Sequence, residues 1–241
     1  MSGYLWVGQK FCLCVWRRGS FPMNIFLLAL AIADCARAHC DAHVVKMITE
    51  TTQLLFYAHH LLQPRHVVNE QQQETTRECA TTDWKVVYQE ATGYEPYLLS
   101  QRHAKHPMTL WVCSSQEKYM HAANLGLALC DEYWKRYGHC RKPQPAHHKC
   151  RPMLEWLRDN PPPRFDDSWL LTSKAAERNQ LAFDGLPSAL LPFPLCVSVD
   201  VDLCDPIGTY RRFYEHKLHV EKKKIVWSHC DPPVWFSLFV L

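Results

Sequence analysis

Two histidines, a lysine, a glutamate and a glutamine recur at three- and four-residue intervals as His39, His43, Lys46, Glu50 and Gln53. At about 100° per residue these five, with Cys35 and Tyr57, fall within an arc of roughly 80° on one flank of a helix. Imidazoles and a carboxylate can carry protons, and an amine of lowered pKa can attack a sugar or carbonyl carbon to form a Schiff base. Lys46 is therefore the candidate nucleophile or positively charged stabiliser, with His39, His43 and Glu50 as the acid–base groups. The same spacing also describes a solvated flank, in which Lys46 and Glu50 are an i,i+4 ion pair in the less favourable order. Two histidines one turn apart are uncommon on such a flank, which favours a site.

A second cluster, His103 and His106, precedes a proline that suits a first helical turn, Pro107. A helix start offers free amide donors and positive potential, so this turn suits a phosphate or carboxylate. His103 and His106 join the candidate catalytic set on that ground. The expected cofactor is none; the alternative is a zinc ion held by His39, His43, His103 and His106, since i,i+4 histidines share a helix face.

A third constellation is C-terminal: Tyr210, Arg211, Arg212, Tyr214, Lys217, His219, Lys222 to Lys224, Trp227 and Trp235. Cations interleaved with aromatics suit a nucleic-acid backbone with stacked bases. Arg211, Arg212, Lys217, Tyr214 and Trp227 are the candidate nucleic-acid contacts. The aromatics can equally be core anchors, with the lysines a solvated face.

These groups need elements to hold them. Ala36, Cys40, Val44, Met47, Ile48, Thr51, Leu54 and Leu55 make a continuous apolar face, predicting one long amphipathic helix over about 34–60 with Asp34 as its N-cap. Val112, Tyr119, Ala123, Leu127, Cys130, Trp134 and Tyr137 predict a second, starting at Pro107 and stopping at Gly138. Residues 63–100 read as a long variable loop with a short helix at Trp84–Glu90. From 142 to 195 prolines accumulate around a short helix at Met153–Arg158, which reads as a semi-rigid surface connector, with Leu186–Leu195 extended. A last helix is expected within 205–224. The fold class is mainly α: a helical domain with two long antiparallel helices, a short N-terminal strand, long loops and a basic, aromatic C-terminal segment.

At 241 residues and 47% hydrophobic content the chain can bury one substantial core, and residues 23–241 read as a single domain. A formal charge of +3, from 27 basic and 24 acidic residues, gives no global attraction to nucleic acid or membrane, so any basic surface is local. The cysteines are scattered, with no Cys-x-x-Cys pair, which fits neither a zinc ribbon nor a dense disulfide scaffold. Cys113 and Cys130 fall in helical patterns, as small buried apolar residues do. Arg17 and Arg18 before the run Ile25 to Ala33 have the outline of a secretory signal. The reading adopted is a buried opening strand that begins at Met23, with 1–22 an extension, an intracellular protein and no membrane span.

Three segments together resemble an uncharacterised family of small phage and giant-virus proteins. They are Met23-Asn-Ile-Phe with Cys35-Ala-Arg-Ala-His-Cys-Asp-Ala-His-Val-Val-Lys-Met47, then His103-Ala-Lys-His-Pro-Met-Thr-Leu-Trp111, and Tyr210 to Trp235. That family reads His-Cys-Asp-Lys-His-Val-Val-Lys-Met; this chain departs from it at Ala42, and at Ala29, Ala31 and Ile32, where the family carries acidic residues and a proline. The His-Pro-x-x-x-Trp start and its helix are also faintly similar to phage-type pyrimidine-dimer DNA glycosylases, where an amine attacks the sugar carbon and a carboxylate assists. Their amine is the chain's own N-terminus, so Lys46 and Glu50 are analogous in chemistry alone. The resemblance implies a viral-type protein acting on DNA or nucleotides, with glycosylase/lyase chemistry, in the host cytoplasm, nucleus or virion. The alternatives are a non-catalytic nucleic-acid-binding or virion-associated protein, and a histidine-ligated metal enzyme.

Overall fold

In a computed structural model, which describes residues 24–62, 83–97, 105–138, 147–168 and 180–237, the frame is a pair of long helices, α2 (Asp41–Leu62) and α5 (Gln116–Tyr137). They run antiparallel, as expected. Arg136 at the end of α5 reaches Asp41 at the start of α2, and Tyr119 near the start of α5 reaches His59 near the end of α2. Around them lie α1 (Ile32–Ala38), α3 (Trp84–Thr92), α4 (Pro107–Ser114), α6 (Arg151–Asp159), α7 (Pro206–His219) and α8 (Val234–Ser237). The described strands are β1 (Leu181–Ala182) and β2 (Phe193–Pro194), paired antiparallel. The fold is mainly helical, with long loops, and no described helix is long and apolar enough to cross a membrane.

Both long helical patterns are interrupted. The first breaks at His39, whose ψ of 136° is extended, so α1 and α2 are separate helices. Arg136 fills the break, donating to the carbonyls of Arg37 and His39 and to the Asp41 carboxylate. These bonds satisfy carbonyls that the end of α1 leaves without helical partners. Asp34 lies inside the first turn of α1 and pairs with Arg37; Ala31 holds the N-cap position instead. The second pattern breaks at Ser115, whose hydroxyl caps α5 by accepting from the Lys118 N–H. Pro107 opens α4 and Gly138 ends α5, both as expected. The short helices at Trp84 and Met153 form with slightly wider bounds.

The opening strand does not form. Ile25, Phe26, Leu27 and Leu28 are buried as expected, but in irregular backbone whose polar groups are taken by side chains. The Cys35 thiol accepts from Leu28 N–H and donates to the Phe26 carbonyl, while Arg211 donates twice to the Leu28 carbonyl. Asn24 locks the segment at its start, accepting from the Tyr210 hydroxyl and donating to the Cys196 carbonyl. With side chains as partners, no strand edge is needed. Met23 and the signal-like residues before it lie outside the described residues.

The proline-rich stretch is also more than a surface connector. Met153, Leu154 and Leu157 of α6, with Ala182, Phe193 and Leu195, are all buried in the common core, and Leu181 is buried as well. Leu186–Leu195 holds a single 3-10 turn, Ser188–Leu190, before β2, and the Leu190 carbonyl there accepts from the Trp111 indole. Cys113 and Cys130 are fully buried free thiols, as their helical positions suggested. Burial pushes the Cys130 thiol up to about 12.

Candidate functional site

The break between α1 and α2 divides the polar ladder. His39 is in the break and wholly buried, 0% exposed, with Nδ1 2.7 Å from the Cys35 carbonyl. A carbonyl only accepts, so Nδ1 carries the hydrogen. Nε2 is buried with no hydrogen-bond partner, and burial pushes the imidazole down to about 4. His43, in the first turn of α2, is buried with Nδ1 2.7 Å from the Tyr214 hydroxyl. Burial, reinforced by the nearby charges of Lys46 and Lys217, holds it well below its ordinary range. Both histidines are neutral rings at neutral pH, packed beside Phe26.

Lys46 and Glu50 differ from them. The Lys46 side chain is 39% exposed, and its Nζ lies 3.0 Å from Oε1 of the buried Glu50. The Glu50 Oε2 faces the Asn24 N–H at 3.4 Å. Burial raises the Glu50 pKa, and Lys46 opposes that shift. An accessible amine thus stands over a buried carboxylate whose affinity for a proton is raised by burial. Tyr57, at the far end of the ladder, is buried in the core.

The other candidates are placed as follows. His106 is the N-cap of α4, its Nδ1 accepting from the Met108 N–H at 3.2 Å, so the turn read as an anion site caps itself. His103 lies outside the described residues. Among the described residues no three His, Cys, Asp or Glu side chains are grouped to hold a metal ion. The His39 ring nitrogen that bonds the Cys35 carbonyl is not available as a ligand in this arrangement.

At the C-terminus Tyr214 is 0% exposed and presents no face for stacking a base; the structure corrects that assignment to a core residue that holds His43. Trp227 packs against Tyr214 and Phe236. Arg211 is engaged with the Leu28 carbonyl and lies over the Trp235 ring at 5.3 Å. Arg212 donates to Thr209 Oγ1 and faces Asp205. Lys217 covers the Phe213 ring and pairs with Glu221, while Lys222 to Lys224 are exposed. Arg37, Arg211, Ala29 and Trp235 help to line a cavity of about 560 Å³ between α1, α7 and α8. Asp34 and Asp231 share its wall, so its charges balance.

Spacing alone did not single out Arg136, which is buried at the centre of the α1–α2 break, or Ser114 and Lys118, which meet across the α4–α5 junction. The signal for the last pair was a Ser-x-x-x-Lys spacing read as part of one unbroken helix. No protein-family model, no curated protein and no solved structure matches this chain.

Proposed function

We propose that the protein acts on DNA or a nucleotide through the Lys46–Glu50 pair, by amine-based glycosylase/lyase chemistry. The observation that carries this reading is the accessible Lys46 amine 3.0 Å from the buried Glu50 carboxylate, whose pKa burial raises. Lys46 and Lys217, from α2 and α7, both bear on His43, and exposed Lys222 to Lys224 follow α7, which gives the patch a local positive character. Lys46 passes a proton to Glu50, and the neutral amine attacks the aldehyde carbon of an opened deoxyribose. Water then leaves with the proton returned from Glu50, and a protonated imine remains on Lys46. His39 and His43 contribute by fixing the start of α2 and do not touch the substrate. The reading places the protein with nucleic acid in a host cytoplasm, nucleus or virion.

Borohydride trapping on abasic DNA tests it. A covalent adduct is expected on Lys46, lost in Lys46→Ala and slowed about 100-fold in Glu50→Gln. If neither adduct nor nicking forms on abasic or dimer-containing DNA, the chemistry is excluded. A second reading, a non-catalytic nucleic-acid-binding protein, is favoured by the closure of His39 and His43 inside the core. It predicts salt-dependent oligonucleotide binding that Lys46→Ala weakens, with no adduct under any condition.

A further inference from the structure

The junction of α4 and α5 places two reactive groups side by side. Ser114 ends α4, Ser115 adopts extended backbone, and Lys118 lies in the first turn of α5. The Lys118 side chain turns back, putting Nζ 3.0 Å from Ser114 Oγ, and the whole residue is only 5% exposed. No carboxylate lies within ion-pair distance of Nζ among the described residues. A buried ammonium with one neutral partner is costly, and the positive end of the α5 dipole adds to that cost. Both effects favour the neutral amine, whose lone pair can take a proton. Burial lowers the Lys118 pKa, with Asp167 and Glu117 opposing.

Ser114 and Lys118 also line a cavity of about 290 Å³, together with Glu117, Asp167, Ser188, Leu191 and Pro192. The serine hydroxyl now donates to the Trp111 carbonyl at 2.8 Å. Rotation about its Cβ–Oγ bond redirects that hydrogen to Nζ. The cavity is at the small end of ligand-binding sizes, which suits a short acyl group.

We propose that Ser114 and Lys118 form a nucleophile–base dyad for acyl transfer from small esters, independent of the Lys46–Glu50 pair. Neutral Lys118 takes the proton from Oγ as Oγ bonds to the ester carbonyl carbon, and the leaving alcohol departs with that proton from Nζ. An acyl-serine remains. Lys118 then takes a proton from water as the resulting hydroxide attacks the acyl carbon, and Oγ leaves and regains the proton, releasing the acid.

A fluorophosphonate probe on the full chain tests this. Oγ displaces fluoride from phosphorus, and the adduct is located by peptide mass spectrometry. The expected result is labelling at Ser114, abolished by Ser114→Ala and at least about 100-fold slower in Lys118→Met. The labelling rate should rise with pH and level off below the ordinary lysine range; Lys118→Arg, with a base that stays charged, should not restore it. Circular dichroism and melting of each variant separate loss of the dyad from loss of the fold. Should Ser114→Ala fail to fold, the adduct position in the unsubstituted protein decides. No adduct at Ser114 between pH 6 and pH 10, or labelling of folded Lys118→Met at the unsubstituted rate, would overturn the proposal. So would an adduct confined to another serine.

Discussion

The guanidinium of Arg136 makes four hydrogen bonds in three directions: to Glu132, to Asp41, and to the carbonyls of His39 and Arg37. It is 1% exposed; its bonds to Glu132 and the His39 carbonyl are buried, and those to Asp41 and the Arg37 carbonyl are part-buried. A lysine has its donors at a single point and cannot span this set. Among the described residues, truncation leaves the buried Glu132 carboxylate with only Lys135, at 3.7 Å, as a charge partner, and removes the donor to the buried His39 carbonyl and the part-buried Arg37 carbonyl. Losing one partner of a buried charged network costs about 3–5 kcal/mol. Urea unfolding should show Arg136→Met destabilised by that much, and Arg136→Lys by nearly as much. A loss below about 1 kcal/mol in Arg136→Met would mean that the α1–α2 break is held by something else.

At the scale of elements, the bundle closes on Gly126. A Cβ placed there would sit 3.0 Å and 3.1 Å from the Leu154 methyls of α6 and 3.2 Å from Thr51 Cγ2 of α2. An alanine requires a small adjustment of those side chains. A leucine would push α5 away from both helices. Gly126→Leu should therefore lose about 1–3 kcal/mol, with Leu154→Ala in the same chain recovering part of it because the added volume then has space. Thermal melting of the single and double variants checks this; equal melting of the two would show that Leu154 is not the obstacle. The same elements show what local sequence encodes. Helix content, the start at Pro107, the stop at Gly138 and the antiparallel pair follow from periodicity and capping chemistry, which act within a few residues. The break at His39 does not, because its partners Arg136, Val226 and Ser228 lie about a hundred or more residues away in the chain. Ile25 to Leu28 were legible as buried but not as irregular, because the groups that replace a strand partner are side chains, the nearby Cys35 thiol and the distant Arg211 guanidinium, which periodicity does not register. The candidate site was half legible. Spacing marked the ladder, but only the burial of His39 and the packing of Tyr214 on His43 showed which rungs are closed, leaving Lys46 as the accessible one above a buried Glu50.

For the whole molecule, the buried histidines couple stability to acidity. His39 and His59 are both buried, and desolvation pushes each from 6.5 down to about 4. Between those two pH values the unfolded chain binds protons that the folded chain does not. Stability is therefore complete above about pH 6.5 and is lost as pH falls towards 4, with no further loss from these two groups below it. Each residue's shift corresponds to about 3 kcal/mol across that window. His43 and His121 are displaced in the same direction by burial. Glu50 opposes them: its raised pKa means that the folded state takes up a proton before the unfolded one as pH falls, which favours the fold there. Against a typical domain stability of about 5–15 kcal/mol, the histidines dominate and unfolding should set in near pH 5. Urea unfolding at pH 7.5, 6.0, 5.0 and 4.5 should show a steep fall in stability across the series. In His39→Gln the side-chain amide can still donate to the Cys35 carbonyl but does not titrate, so the slope should flatten by one histidine's share. A stability that stays level from pH 7.5 to pH 4.5 would mean that these rings can be protonated inside the fold, and that the core around Phe26 admits a charge.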